Sequence, residues 1–339
     1  MSASTWAWGQ FLLCAVAVAA AGYRLCRSGE AIGAAWGLTG SWIGLALLAA
    51  VTSLPELVTG ISAVTVANTP NIALGDALGS CVINLGFLVV VDFVFRDAPL
   101  YRAASRSHIL SGAFGVVALG IIGSSILVSH IPGFDQPGVL GVGLYSPMVM
   151  LVYVVALRMS FRYEQGDGSV ARPERAMLLG GGQRRALREF ALAALVVAIA
   201  GAWLPVAGGR LADSMGWNRS FVGTLLVAAS TSLPELAVTL SALRLRALDM
   251  AVGNLLGSNL FNAVIIAIDD LFYRHGPLLA HVSSLHAITA FSAVVMTVLA
   301  MIGLFHRPEG RVLRAVGWIS IALVGVYLAN SYVVFLHGD

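Results

Sequence analysis

Thr52-Ser53-Leu54-Pro55-Glu56-Leu57, followed by Gly75-Asp76-Ala77-Leu78-Gly79-Ser80-Cys81-Val82-Ile83-Asn84, places carboxylate, hydroxyl, amide and proline inside otherwise apolar sequence. The same six residues return at Thr231-Ser232-Leu233-Pro234-Glu235-Leu236, and Gly253-Asn254-Leu255-Leu256-Gly257-Ser258-Asn259-Leu260-Phe261-Asn262 follows them. The offset is about 179 residues, and repetition of that kind dictates architecture before any single residue is interpreted.

Composition fixes the solvent around these motifs. With 58% hydrophobic and 11% charged residues in 339, and a mean hydropathy of +0.86, the chain has more apolar surface than a soluble core can bury. It reads as an all-α integral membrane protein with the lipid bilayer as partner and no nucleic acid. Cys14, Cys26 and Cys81 show no CxxC spacing, so neither a disulfide framework nor a zinc site is expected. No basic residue precedes Arg24, which points to a retained first span rather than a cleaved signal peptide.

A spanning helix needs about 20 mostly apolar residues. Ten segments meet or approach that length, at 7–23, 36–66, 71–95, 108–129, 138–157, 187–207, 217–244, 249–273, 283–305 and 312–335. Five precede the polar, glycine-containing stretch 158–186 and five follow it. The expected division is therefore a first five-helix repeat at 1–157, a cytoplasmic linker at 158–186 and a second repeat at 187–339. The chain contains no lysine, and its 20 basic residues are all arginine. With the N-terminus outside, only Arg210, Arg219 and Arg274 fall on the outer side, the bias expected of a multi-pass cell-membrane protein. An odd number of spans per half inserts the second half upside down, so the two motifs face each other at the midplane as inverted repeats with broken helices.

Glu56 and Glu235 are the first candidates, because an ionisable group near the bilayer centre costs at least about 2.5 kcal/mol on insertion scales. A merely buried, protonated or paired acid is the plainer alternative. It explains less, since both acids recur with the same neighbours and without an arginine nearby in the same helix. Pro55 and Pro234 lack an amide hydrogen and clash with the carbonyls of Val51 and Ser230, so each helix must open there. Such freed carbonyls are tolerated in hydrocarbon only when buried in protein or lining a wet cavity. Ser80 and Asn84 share one helix face, as do Ser258 and Asn262, while the neighbouring glycines suit close helix packing. The donor set is all oxygen, which suits a hard cation such as Ca2+ or Na+ rather than zinc or copper.

Thr-Ser-Leu-Pro-Glu with Gly-x-x-x-Gly-Ser-x-x-x-Asn, present in both halves, resembles the alpha repeats of the sodium/calcium exchanger family in the calcium/cation antiporter superfamily. The resemblance implies ten helices, a midplane site and alternating access. It further implies ligands at Thr52, Ser53, Glu56, Ser80 and Asn84 from one repeat and Thr231, Ser232, Glu235, Ser258 and Asn262 from the other. Well-described sodium/calcium exchangers have an aspartate where this chain has Asn262, whereas relatives that exchange calcium for protons can lack that acid; a glycine is usual where this chain has Val51 and Ser230, and the first repeat has Gly-Asp and Gly-Ser-Cys where Gly-Asn and Gly-Ser-Asn are usual.

Asp76 lies four residues before Ser80 on the same face. Two readings of it are open, a third negative charge from the outer vestibule or a helix-start acid held by the local dipole. Asp92 and Asp270 correspond between the halves, and Arg96 and Arg274 four residues on suggest structural ion pairs. Asp269 has no such partner. The seven histidines lie outside both motifs and read as interfacial.

The expected function is a secondary antiporter exchanging Ca2+ for Na+ by alternating access, with no cofactor beyond the transported ions. Exchange for H+ at the same site is the alternative, and a passive cation channel a more distant one. An intramembrane enzyme using Asp269, Asp270 or Asp92 is set aside, because adjacent helical aspartates point about 100 degrees apart.

Overall fold

A computed structural model describes residues 3–35, 48–166, 180–310 and 316–337. Its long helices are α1 (Ala3–Ala35), α2 (Leu54–Thr65), α3 (Pro70–Val94), α4 (His108–Ser129), α5 (Tyr145–Gly166), α6 (Gly180–Met215), α7 (Arg219–Thr231), α8 (Leu233–Arg244), α9 (Leu248–Phe272), α10 (Leu285–His306) and α11 (Trp318–His337). Among the described residues seven helices are long and apolar enough to cross a membrane, and α7 with α8 forms one further span bent by 41°. With α2 and the apolar part of α5, Tyr145–Ser160, both of them shorter, these elements make the ten-helix plan.

The repeats are inverted about an axis between them. α1 lies along α6, α3 against α9 and α4 along α10, so helices near that axis meet their own counterparts. Large apolar residues such as Leu13, Leu192, Ile199 and Leu328 stay exposed on the perimeter, whereas Glu56, Asp76, Glu235 and Asp269 are buried. That inside-out distribution is what a hydrocarbon solvent demands.

Arginine-rich segments share one end of the bundle. Arg102 pairs with Glu309 at 3.0 Å, while the Ser105 amide and His108 Nε2 reach Asp249 at 2.7 and 3.1 Å. At the other end Arg210 donates to Gln10 at 2.9 Å, and Asn218 donates to the Val334 carbonyl at 3.3 Å.

Several boundaries differ from those expected. The first helix continues through Arg24 and Arg27 to Ala35. The fifth span begins at Tyr145, because a two-stranded hairpin, Gly138–Val139 with Val142–Gly143, occupies the start of the segment. Its turn residues Leu140 and Gly141 both have positive φ, 55° and 85°, the backbone that a two-residue hairpin requires. Helix α5 continues to Gly166 and α6 begins at Gly180, into the stretch read as linker; 167–179, 36–47 and 311–315 lie outside the described residues.

The expected ion pairs at Asp92 and Asp270 give way to a different device. Asp92 accepts from the Leu100 and Gly317 amides at 3.4 and 2.7 Å and from Ser320 Oγ at 2.6 Å. Asp270 accepts from the Leu278 and Gly143 amides at 2.7 and 2.9 Å, Ser146 Oγ at 2.5 Å and Tyr145 Oη at 2.6 Å. Each carboxylate thus ties the C-terminal end of α3 or α9 to the start of α11 or α5. A buried carboxylate is better satisfied by several fixed donors than by one long arginine at a helix end. Arg96 instead lies over the Phe93 ring, 4.7 Å from its centroid. His108 and His286 also depart from the interfacial reading, since both are buried and hydrogen-bonded.

Candidate functional site

Both Ser-Leu-Pro-Glu elements break their helices at the serine. Ser53 and Ser232 adopt nearly the same backbone, φ −88°, ψ 12° and φ −81°, ψ 0°, and a new helix starts with proline in its first turn, where no amide is needed. This places Glu56 and Glu235 in the first turns of α2 and α8, beside the partial positive charge of a helix start. Both glutamates are almost wholly buried, at 1% and 0% exposure.

The two halves complete each other. Ser53 Oγ of the first repeat donates to Glu235 Oε1 at 3.0 Å, and Ser232 Oγ of the second donates to Glu56 Oε1 at 3.4 Å. Ser80 Oγ lies 3.5 Å from the same Glu56 oxygen, and Thr52 meets Ser258 at 3.2 Å across the axis. The second oxygen of each glutamate has no hydrogen-bond partner among the described residues. Thr231 Oγ donates to Asp76 Oδ1 at 2.8 Å, and Asp76 is 1% exposed in the second turn of α3. That burial and cross-repeat bond exclude a surface acid held only by a helix dipole.

Asn84 Nδ2 donates to Asn259 Oδ1 at 3.1 Å, and Asn259 Nδ2 donates to the Cys81 carbonyl at 3.0 Å. Asn262 is fully buried, and neither of its amide atoms has a nitrogen or oxygen partner among the described residues. The motif residues are therefore brought to one interior layer, with unsatisfied oxygens from Glu56, Glu235, Asp76, Asn84 and Asn262. Among the described residues no three His, Cys, Asp or Glu side chains group at metal-holding range. A cation here would be held by carboxylates together with neutral hydroxyl and amide oxygens, the mixture that hard ions accept.

Close helix approach makes this layer possible. A Cβ on Gly75 would stand 2.8 Å from the Thr224 amide nitrogen, and one on Gly79 2.8 Å from the Thr224 carbonyl carbon. Opposite them Val222–Val227 forms a π-helical turn. Such wide turns displace backbone locally and occur often at functional sites. The packing role expected of Gly75 and Gly79 is what these contacts show.

The family model described as sodium/calcium exchanger protein matches residues 6–162 and 188–333, which cover both repeats. The chain belongs to the sodium/calcium exchanger family. It is 27% identical over 339 aligned residues to sodium/calcium exchanger MaX1 of Methanosarcina acetivorans, covering 91% of this chain and 93% of that one. The solved H+/Ca2+ exchanger CAX superposes with a TM-score of 0.70 at 16% identity, over 96% of this chain and 85% of its own. The sodium-calcium exchanger NCX_Mj superposes with a TM-score of 0.59 at 23% identity, over 96% and 98%. These superpositions show the shared fold.

In this exchanger-family member the structure adds two residues to the layer and one buried acid outside it. Asn254 occupies the position equivalent to Asp76 and donates to the Glu235 carbonyl and to Thr239 Oγ1, both at 3.5 Å. Asn259, equivalent to Cys81, bridges the two repeats. Asp269 lies buried beside α2. Alignment of one repeat on the other would have drawn attention to the first two, since Asp76 and Cys81 are the positions of this motif where a polar side chain in one copy is not matched in kind by the other.

Proposed function

We propose that this protein is a secondary antiporter that moves Ca2+ across the cell membrane in exchange for Na+. The observation that carries the reading is reciprocal capping of two buried glutamates, Ser53 to Glu235 and Ser232 to Glu56, with an open oxygen left on each. Two carboxylates in hydrocarbon need compensating positive charge. The broken-helix elements carry basic residues only at remote ends, Arg219 and Arg244, so the charge comes from the transported ion. One Ca2+ or two monovalent cations neutralise the pair, and competition for the same oxygens is the basis of exchange. The proposed ligands are Thr52, Ser53, Glu56, Asp76, Ser80 and Asn84 with Thr231, Ser232, Glu235, Ser258 and Asn262.

Alternating access follows from the inversion. When the site is filled, one repeat can rock against the other about the shared axis; when it is empty, two like charges resist closure. Exchange against H+ is a second reading, favoured by Asn262, whose neutral amide leaves the site one acid poorer than the family pattern. The clustering of arginine segments at one end supports an N-terminus outside.

The test is uptake of radiolabelled Ca2+ by proteoliposomes under an imposed Na+ gradient or an imposed pH gradient. Na+ coupling predicts uptake only under the Na+ gradient, lost in Glu56→Gln and Glu235→Gln. Uptake driven only by pH establishes the second reading, and unitary currents without countertransport overturn both. A membrane-impermeant thiol reagent that labels Arg210→Cys but not Arg102→Cys in intact cells supports the orientation.

A further inference from the structure

Among the described residues, Asp269 is the one buried acid that neither the hydrogen-bonded ends of the helices nor the midplane layer uses. It follows Ser258 by eleven residues and Asn262 by seven, and both spacings return to nearly the same face of an α-helix. It therefore extends the ligand stripe of α9, about 10 Å beyond Asn262 toward the outer end at 1.5 Å per residue. Its carboxylate lies over Gly60 of α2. A Cβ there would stand 2.7 Å from Oδ1 and collide with Oδ2. Gly60 is one turn beyond Glu56 on the same helix. On α3, Asp76 stands one turn before Ser80, also on the outer side, so the two aspartates flank the outward side of the glutamate layer.

Each of these acids is 1% exposed, and Asp76 Oδ2 and Asp269 Oδ1 have no hydrogen-bond partner among the described residues. Helices α2, α3 and α9 contain no lysine, arginine or histidine. Glu56 of α2 lies one turn before Gly60, while Asp270 on α9 is fully occupied by Tyr145, Ser146 and two amides. The mirror-image layer on the inward side is neutral. There Asp76 is replaced by Asn254, Asp269 by Val91 and Gly60 by Thr239, and Asn254 bonds Thr239. The bare Cα of Gly60 makes room for a carboxylate where the other repeat places a hydroxyl.

We propose that Asp76 and Asp269 form an accessory site for one positive charge, a monovalent counter-cation, on the outward path only. A charged carboxylate in so dry a place requires such a partner, and among the described residues no basic side chain pairs with either acid. The counter-cation, Na+ or H+, binds here one turn before the shared glutamates. The outward-facing state thereby collects a charge for which the inward-facing state has no equivalent station.

This inference rests on the antiport reading, and the experiment separates the two. Proteoliposomes with Asp269→Asn are assayed for Ca2+ exchange with the driving cation applied at the outer face, Na+ at fixed pH in one arm and H+ without Na+ in the other. The half-saturating concentration of the coupled cation is expected to rise at least tenfold in one arm, which identifies the ion, with less than a threefold change for Ca2+. The charge moved per Ca2+ is expected to fall by one. Unchanged counter-cation affinity and charge in Asp269→Asn, with Glu56→Gln inactive, overturn the accessory site alone; an active Glu56→Gln overturns the antiport reading beneath it. Should Asp269→Asn fail to fold, infrared difference spectra of the wild-type protein on cation exchange decide the matter. Carboxylate bands beyond those lost in Glu56→Gln and Glu235→Gln support the site, and their absence refutes it.

Discussion

Removing the hydroxyl of Ser53 tests the cross-repeat geometry more sharply than removing a carboxylate, because it leaves the charge in place. Ser53 Oγ is 3.0 Å from Glu235 Oε1 and is the hydroxyl bonded to that oxygen. A hydrogen bond to a charged group contributes about 1.5–3 kcal/mol, so Ser53→Ala should weaken Ca2+ binding by about 10- to 150-fold. The counterpart, Ser232 to Glu56, is longer at 3.4 Å, and Ser80 approaches the same oxygen at 3.5 Å. Both exceed the usual hydroxyl–oxygen range, so Ser232→Ala should cost only about 0.5–1 kcal/mol, roughly two- to fivefold. The assay is equilibrium binding of radiolabelled Ca2+ to purified protein, with Ser53→Ala repeated on the Glu235→Gln background. The serine's effect should shrink there to below about 0.5 kcal/mol if the two act as one unit. An equal or larger effect of Ser232→Ala, or full additivity of Ser53→Ala with Glu235→Gln, would refute the reciprocal-capping account.

Three further outcomes follow from the packing. Asp270→Asn keeps only one of two accepting oxygens for four donors and should destabilise the protein by about 2–4 kcal/mol, read as a lower Tm in detergent. Gly79→Val forces a branched side chain into the Thr224 backbone and should abolish monodisperse protein, whereas Gly86→Val on the same helix meets open space and should cost under about 1 kcal/mol. Asn262→Asp places a charge where a buried amide has no protein partner, and should tighten Ca2+ binding and raise the counter-ion count per Ca2+; a reversal potential that does not move contradicts it.

Some of this was legible from residue spacing. The four-residue separation of Ser80 from Asn84, and of Ser258 from Asn262, put each pair on one helix face because helical geometry is local. Proline at positions 55 and 234 announced the breaks for the same reason. The partners of Asp92 and Asp270 were not legible. Arginines four residues on offered a local solution, but beside the amides of Leu100 and Leu278 the donors come from Gly317 and Ser320, and from Gly143 and Ser146, more than a hundred residues away in sequence. The hairpin before α5 was hidden within an apolar run, where periodicity does not distinguish a short strand from a helix end.

Sequence alone determined that this chain lives in a bilayer, that it is built twice with opposite insertion, and that each copy carries a carboxylate at a proline break. Those features depend on composition, parity of spans and short-range spacing. Only the tertiary structure decided that Ser53 caps Glu235 and Ser232 caps Glu56, that Asp76 turns inward to Thr231, and that Asp269 lies over Gly60. The reason is physical: once water is excluded, a buried polar group takes whichever partner the packing brings within reach, and packing is set by the whole bundle rather than by neighbours along the chain.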